Sequence, residues 1–378
     1  MKKILLKTKI YLLIFLTIFL YPLIKIFILL RKRTLDEKLN IFIIPHLTRV
    51  GDLICSTPVF YAIKNIYPNS KISVLVSKKA IGIIKNNPRI DDIIIYEDYS
   101  FLSLMSEIRK RKFNWSFSLS GTSISTLLVL WGLIPNRVKL TRSPKPFTEL
   151  ITDWMCNFRP FYIHHTFLPD FNLKILEVIK IFNPDFKKEV FTTKESDDKA
   201  GNFYKEKEIS NEDLVIGISI TAGNKIKEWG DDKFLKLANK INKKYKSKLV
   251  FIGSGADKER VNNLLEKANN HNFIGATNFS LEELPSLMKR FNLYISVDTG
   301  PVHVADSLNI PLIDIIGPAD PNELVPKNKN GLIIAPPKKN KPSVFAFKKT
   351  GKAEEQKLAL KSIDIDDVFV GVVKLLDR

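Results

Sequence analysis

The chain has 378 residues, 45% of them hydrophobic and 26% charged, so it is too apolar for general disorder and long enough for two separate cores. Its two cysteines, Cys55 and Cys156, exclude a disulfide framework and a paired-cysteine zinc site, and they fit a reducing compartment. The formal net charge of +19 asks for a polyanionic partner, yet no zinc-finger spacing, RNA-binding aromatic signature or Arg-rich arm goes with it. An anionic membrane surface or a phosphorylated substrate is therefore expected, and a specific nucleic acid is not.

Residues 10–30 (IYLLIFLTIFLYPLIKIFILL) carry one charge, Lys25, and one helix breaker, Pro22. A helix of that length reaches about 30 Å, enough to cross a bilayer. RKRTLDEK follows where a cleavable signal would show small residues, so an uncleaved anchor over 1–38 is expected. Lys2, Lys3, Lys7 and Lys9 precede the segment and Arg31, Lys32 and Arg33 follow it, so the positive-inside rule nearly cancels. Spanning the bilayer and lying in its cytoplasmic leaflet both remain open.

Beyond residue 40 the chain alternates short β-branched runs with stretches of helical period. Candidate strands fall at 41–45, 71–76, 92–96 and 115–119, then at 214–220, 248–253, 293–298 and 311–317. Helical stretches at 59–67, 102–112, 231–245, 257–268, 281–290 and 301–308 separate them. That alternation implies parallel sheets made of βαβ units. The polar stretch 185–212 reads as the junction, giving one domain at 39–190 and another at 210–378. The Lys- and Pro-rich stretch 336–357 reads as a surface loop, and 363–376 as a closing helix capped by Asp364 or Asp366. The expected fold is α/β: two doubly wound domains facing a cleft, with ligands at the carboxyl ends of the strands.

Four strand-to-helix turns could carry chemistry. In LYISVDTGPVH (293–303) a strand ends at Asp298, Thr299 and Gly300 turn the chain, and Pro301 suits the first turn of a helix. Backbone N–H groups and the helix dipole there favour an anion, with His303 near enough to donate to it; a merely well-capped helix is the alternative. SITAGNKIKEWG (219–230) offers Gly223, Lys225 and Lys227, whose ammonium groups neutralise a diphosphate or are simply solvated. PHLTRVGDLICSTP (45–58) presents Asp52 after Gly51, as a base for an attacking hydroxyl or as a helix cap, and Arg49, as a phosphate ligand or surface cover. FIGSGADKE (251–259) places Asp257 where nucleotide folds often hold ribose. His46, His164, His165 and His271 form no spaced metal cluster, and no DxD pair sits on a suitable loop, so metal-independent chemistry is expected.

In this order, RVGDLICSTPVFYAIKNIYP, ITAGNKIKEWGDDKF and SVDTGPVHVADSLNIPLIDIIGPADP resemble glycosyltransferase family 9, the ADP-heptose:lipopolysaccharide heptosyltransferases. The resemblance covers residues 41–335 and 363–376, and D-T-G-x-x-H followed by G-P-x-D-P is its most specific part. It implies a GT-B fold of two Rossmann-like domains, acceptor on the first and nucleotide sugar on the second, and inverting transfer without a cofactor or catalytic metal. It further implies Asp52 as general base, Lys227 on the donor phosphates, and Asp298, Thr299, Gly300 and His303 as the donor-binding turn. Gly223 then belongs to the phosphate loop, Asp257 faces the ribose, Phe279 lies near the adenine, and Arg49 serves the acceptor. The implied partners are ADP-heptose and a lipopolysaccharide-core or related glycolipid, on the cytoplasmic side of a bacterial inner membrane. Ala222 and Gly223 follow the Pro-Gly-Ala form of the phosphate loop, and cysteines common in the family's C-terminal part are missing. A GT-B transferase using another nucleotide sugar, or a non-catalytic nucleotide-sugar-binding membrane protein, are the competing expectations.

Overall fold

The computed structural model describes residues 2–32, 38–327, 329–337, 342–347, 350 and 353–377. Of the basic flanks around residues 10–30, the side chains of Lys2, Lys3, Lys7, Lys9 and Lys32, and Arg33 as a whole, lie outside what is described. The chain forms two compact units. The first holds Met1–Arg49, Ser56–Ile81 and Asn87–Lys187; the second holds Val50–Cys55, Gly82–Asn86 and Lys188–Arg378.

In the first unit, α1 (Lys2–Lys32) precedes β1 (Asn40–Ile44). The next helix, α2 (Val50–Ile54), belongs to the second unit. Then come α3 (Thr57–Ile66), β2 (Lys71–Val76), β3 (Asp92–Ile95), α4 (Phe101–Lys110), β4 (Trp115–Ser118), α5 (Ser123–Trp131) and β5 (Asn136–Lys139). A small parallel pair, β6 (Thr141–Arg142) and β7 (Phe161–Tyr162), flanks α6 (Phe147–Leu150), and α7 (Leu168–Lys174) follows. Burial on both faces explains the unbroken apolar runs of β1 and β2, as expected for a parallel sheet under helices. The sheet order is β3-β2-β1-β4-β5, all parallel, so its direction of winding reverses between β1 and β4.

The second unit continues with α8 (Lys194–Glu206), β8 (Val215–Ser219), α9 (Asp231–Tyr245), β9 (Lys248–Ile252), α10 (Lys258–Ala268), β10 (Phe273–Ala276), α11 (Leu284–Met288), β11 (Leu293–Val297), α12 (Gly300–Ser307), β12 (Leu312–Ile315), β13 (Gly331–Ile334), α13 (Ala353–Lys361) and α14 (Ile365–Leu376). Its order is β10-β9-β8-β11-β12-β13, again all parallel, with the reversal between β8 and β11. Asp364 caps α14 through its side chain, and Val368, Val372 and Leu375 seat that helix in the core. Each such side chain contributes about 1.5–3 kcal/mol on full burial.

The eight expected strands are present, and the structure adds β5, β6, β7, β10 and β13, which are short and lack the long β-branched runs. The structure fills in three of the stretches read from sequence. The polar stretch 185–212, read as the junction, carries a helix of its own: Thr193 caps α8 by accepting from Ser196 N, and Ala200 and Phe203 give that helix a buried side. The stretch 336–357 is not wholly loop, since α13 begins at Ala353; residues 338–341, 348, 349, 351 and 352 of it lie outside the described residues. The break between units falls at Lys187, inside the stretch read as the junction, and the segment carrying Asp52 groups with the second unit although residues on both sides of it belong to the first.

Candidate active site

The second unit concentrates its polar chemistry at its winding reversal. The turn after β8 ends in a single 3-10 turn, Lys225–Lys227, opened by Asn224, whose side chain accepts from Ile226 N. The turn after β11 carries Asp298. Lys227 Nζ donates to Asp298 Oδ2, so one ion pair bridges the two strands that flank the reversal. Asp298 is 9% exposed. Burial works against its charge, but the Lys227 ammonium more than compensates and holds the carboxyl below its usual range.

Thr299 stands in extended backbone (φ −148°) at the start of α12 and makes no side-chain cap. Gly300 and Pro301 then open the helix. An uncapped N-terminus leaves backbone donors directed outward, the arrangement that receives phosphate. Gly300 is required by packing: a Cβ there would lie 3.0 Å from Val50 Cβ on α2. Gly51 answers from α2, where a Cβ would come 2.7 Å from His303 Cδ2 and 3.7 Å from Gly300 Cα. Two glycines thus let α2 and α12 meet at their first turns. Asp52, in the first turn of α2, is the residue after Gly51.

His303 is not the surface histidine that its position near a helix start allows. It is 3% exposed, with Nδ1 3.5 Å from Cys55 Sγ. Burial, then the ammonium of Lys188, lowers its pKa to about 3 against the pull of Asp298, with Lys227 adding to the fall. Cys55 is pushed up to about 12, first by burial and then by Asp52, Asp306 and Asp298, with Lys188 opposing. Both groups are therefore neutral near pH 7. Lys188 pairs with Asp306 at 2.6 Å with almost no solvent contact, and that pairing keeps its ammonium charged despite burial.

Beneath the seat lies Asp314 on β12, in register with Ser296. It is fully buried, and neither carboxyl oxygen has a hydrogen-bond partner among the described residues. Burial and the nearby Asp298 charge raise its pKa well above the usual value, so it stands as the neutral acid.

The remaining expected donor residues are spread more widely. Gly223 is exposed, and no atom crowds the space a Cβ would take. Asp257 spends Oδ2 on Ser254, accepting from its backbone N at 2.8 Å and its hydroxyl at 2.6 Å in a capping box. Phe279 is buried edge-to-face on Phe203 of α8 at 5.3 Å, with Lys199 Nζ 5.1 Å from its ring centre. It lines an open pocket with Lys199, Asn202 and Asn278.

The first unit gathers charge at the same edge of its own sheet. His46, after β1, is held down to about 4 by burial and then by Arg49 and Arg142. Arg142 pairs with Glu149 at 3.0 Å, and Asp153 receives Lys139 at 2.7 Å and Lys145 at 2.5 Å. Arg49 is exposed. His46, Arg142, Lys188, Cys55 and Asp314 were not singled out from sequence. They come from four separated segments, and only the βαβ reading, which predicts that strand ends converge, offered a signal.

The family model for glycosyltransferase family 9 (heptosyltransferase) matches residues 164–354, about half of the chain. The chain belongs to glycosyltransferase family 9. It is a glycosyltransferase enzyme. Among similar family 9 sequences, lipopolysaccharide heptosyltransferase 3 of Escherichia coli (strain K12) is 26% identical over 71% of this chain and 80% of that one. Lipopolysaccharide heptosyltransferase 1 of Campylobacter coli is 28% identical over 72% and 82%. In fold, the glycosyl transferase family 9 protein of Veillonella parvula DSM 2008 matches at a TM-score of 0.73 and 21% identity, covering 90% of this chain and 98% of that one. The ADP-heptose lps heptosyltransferase II of E. coli matches at 0.72 and 18%, covering 89% and 98%. The α/β GT-B class expected from the family 9 motifs is thereby the fold of this transferase.

Proposed function

We propose that this transferase moves heptose, with inversion, from ADP-heptose to a lipopolysaccharide-core or related glycolipid acceptor. The names of the relatives support that donor and acceptor class. The observation that supports the mechanism is the meeting of α2 and α12, in which Gly51, the residue before Asp52, packs on the Gly300 turn that follows the Lys227-paired Asp298. The acceptor hydroxyl attacks the anomeric carbon, its proton passes to the Asp52 carboxylate, and the bond to the diphosphate breaks. Charge growing on the departing diphosphate meets the Lys227 ammonium and the N-terminus of α12. His303 acts through α2: neutral and buried against Gly51 and Cys55, it is a positioning residue.

Among the described residues no group of three or more His, Cys, Asp or Glu is set to hold a metal ion. In this reading leaving-group stabilisation falls to Lys227 and the helix, and transfer is expected to persist in a chelator. The test incubates the full-length protein with ADP-, UDP- and GDP-sugars and lipopolysaccharide-core acceptor, with and without EDTA, and reads products by mass spectrometry. Heptosylated product from ADP-heptose alone is expected, and Asp52→Asn should slow it by about 10²–10⁴-fold with ADP binding retained. Undiminished turnover in Asp52→Asn removes the mechanism; product only from a UDP- or GDP-sugar removes the donor.

A further inference from the structure

The apolar segment Ile10–Arg31 has a mean hydropathy of 2.6, and by length alone it could cross a bilayer. Its packing within the first unit decides otherwise. Ile14, Thr17, Ile24 and Ile28, spaced by three, four and seven, form one buried stripe, and Ile24 and Ile28 meet Leu130 of α5 and Met155. Polar contacts run along the same stripe. Trp131 Nε1 donates to Thr17 Oγ1 at 2.8 Å, Tyr21 meets Trp154 edge-on at 4.5 Å, and Arg31 donates to the carbonyls of Gly132 and Arg109. From Ile14 to Arg31 the docked length is about 25 Å at 1.5 Å per residue.

A spanning helix docked in this way would drag its partners into hydrocarbon. These include the guanidinium of Arg109, which lies over the Trp131 ring, and the backbone carbonyls at the end of α5. Those carbonyls are held by Arg109 and Arg31, so the charged guanidinium groups would have to enter hydrocarbon with them, which is unfavourable even when they are hydrogen-bonded. The opposite face of α1 is open: Leu12, Phe15, Phe19, Leu23 and Phe27 are each more than half exposed, Phe19 most at 75%. Arg109, Lys110 and Lys112 lie exposed at the end where Arg31 docks, a basic edge suited to anionic headgroups.

We infer that α1 is an in-plane anchor built into the first unit, its outer face sunk in the interface of an anionic bilayer, with both of its ends on the side that holds the enzyme's body. The inference is independent of which sugar is transferred. Two measurements on the full-length protein test it. In spheroplasts and in inside-out vesicles, an N-terminal epitope tag and the body should always be cut by protease from the same side; cleavage of the tag from the side opposite the body overturns the inference. Purified protein should float with phosphatidylethanolamine/phosphatidylglycerol vesicles, and the combined Phe15→Glu, Phe19→Glu and Phe27→Glu changes should reduce the floated fraction at least tenfold without moving the melting temperature. Unchanged flotation, or a dimer that depends on this face and does not bind vesicles, also overturns it.

Discussion

The two units build nearly the same sheet and place charge at the same edge of it, but assemble that charge differently. In the second unit Asp298, Thr299, Gly300 and His303 are near neighbours in sequence, because a single strand-to-helix turn makes most of the proposed anion seat. In the first unit Arg142, Lys145, Glu149 and Asp153 fall in one stretch around α6, but Lys139 and His46, which complete the cluster, come from the ends of other strands. Both edges hold a histidine neutral by burial beside fixed cations, at about 3 for His303 and about 4 for His46. A seat made by one turn can be read locally; one made by several strand ends exists only after folding.

If the second unit takes the donor and the first the acceptor, variants should separate the two. Lys227→Met is the largest test. It removes the point charge under the diphosphate and strands the buried Asp298, so turnover should fall about 10²–10³-fold and ADP binding should weaken with it. Stability should drop on the order of 2 kcal/mol, readable in urea unfolding. A defect confined to acceptor KM would break the comparison. Arg49→Ala should be milder. Loss of one charge-assisted contact, about 1.5 kcal/mol, raises acceptor KM roughly tenfold and leaves ADP affinity by calorimetry unchanged.

The smallest effect sharpens the contrast between the histidines. Each has a folded pKa below the ordinary value near 6.5, so the unfolded chain binds more protons in that range and stability rises with pH. The contribution is complete above about pH 6.5 and is lost as pH falls toward about 4 for His46 and about 3 for His303. Melting curves between pH 4 and 8 should show a flatter acid limb in His303→Gln than in His46→Gln. A steeper limb in either variant contradicts the buried neutral state.

Much of this protein was legible before folding was considered. Alternating β-branched and amphipathic runs report the βαβ repeat because strand and helix periods are local, and the 298–303 turn reports a helix start after a strand because the residues that open the helix are neighbours in sequence. Asp257 shows the limit: the same short glycine-and-acid pattern serves equally as a capping box, which is the use the structure shows.

Tertiary structure alone decided three things. The close approach of Gly51 and Gly300 joins Asp52 to the second unit across some 250 residues of chain, and no local pattern encodes a distance between helices. Burial settled which titratable groups stay charged, leaving Asp298 ionised beside Lys227 and Asp314 protonated just behind it. Docking on α5 gave the apolar first helix one face for protein and one for its surroundings, because hydropathy fixes how much surface avoids water but only packing chooses what covers it.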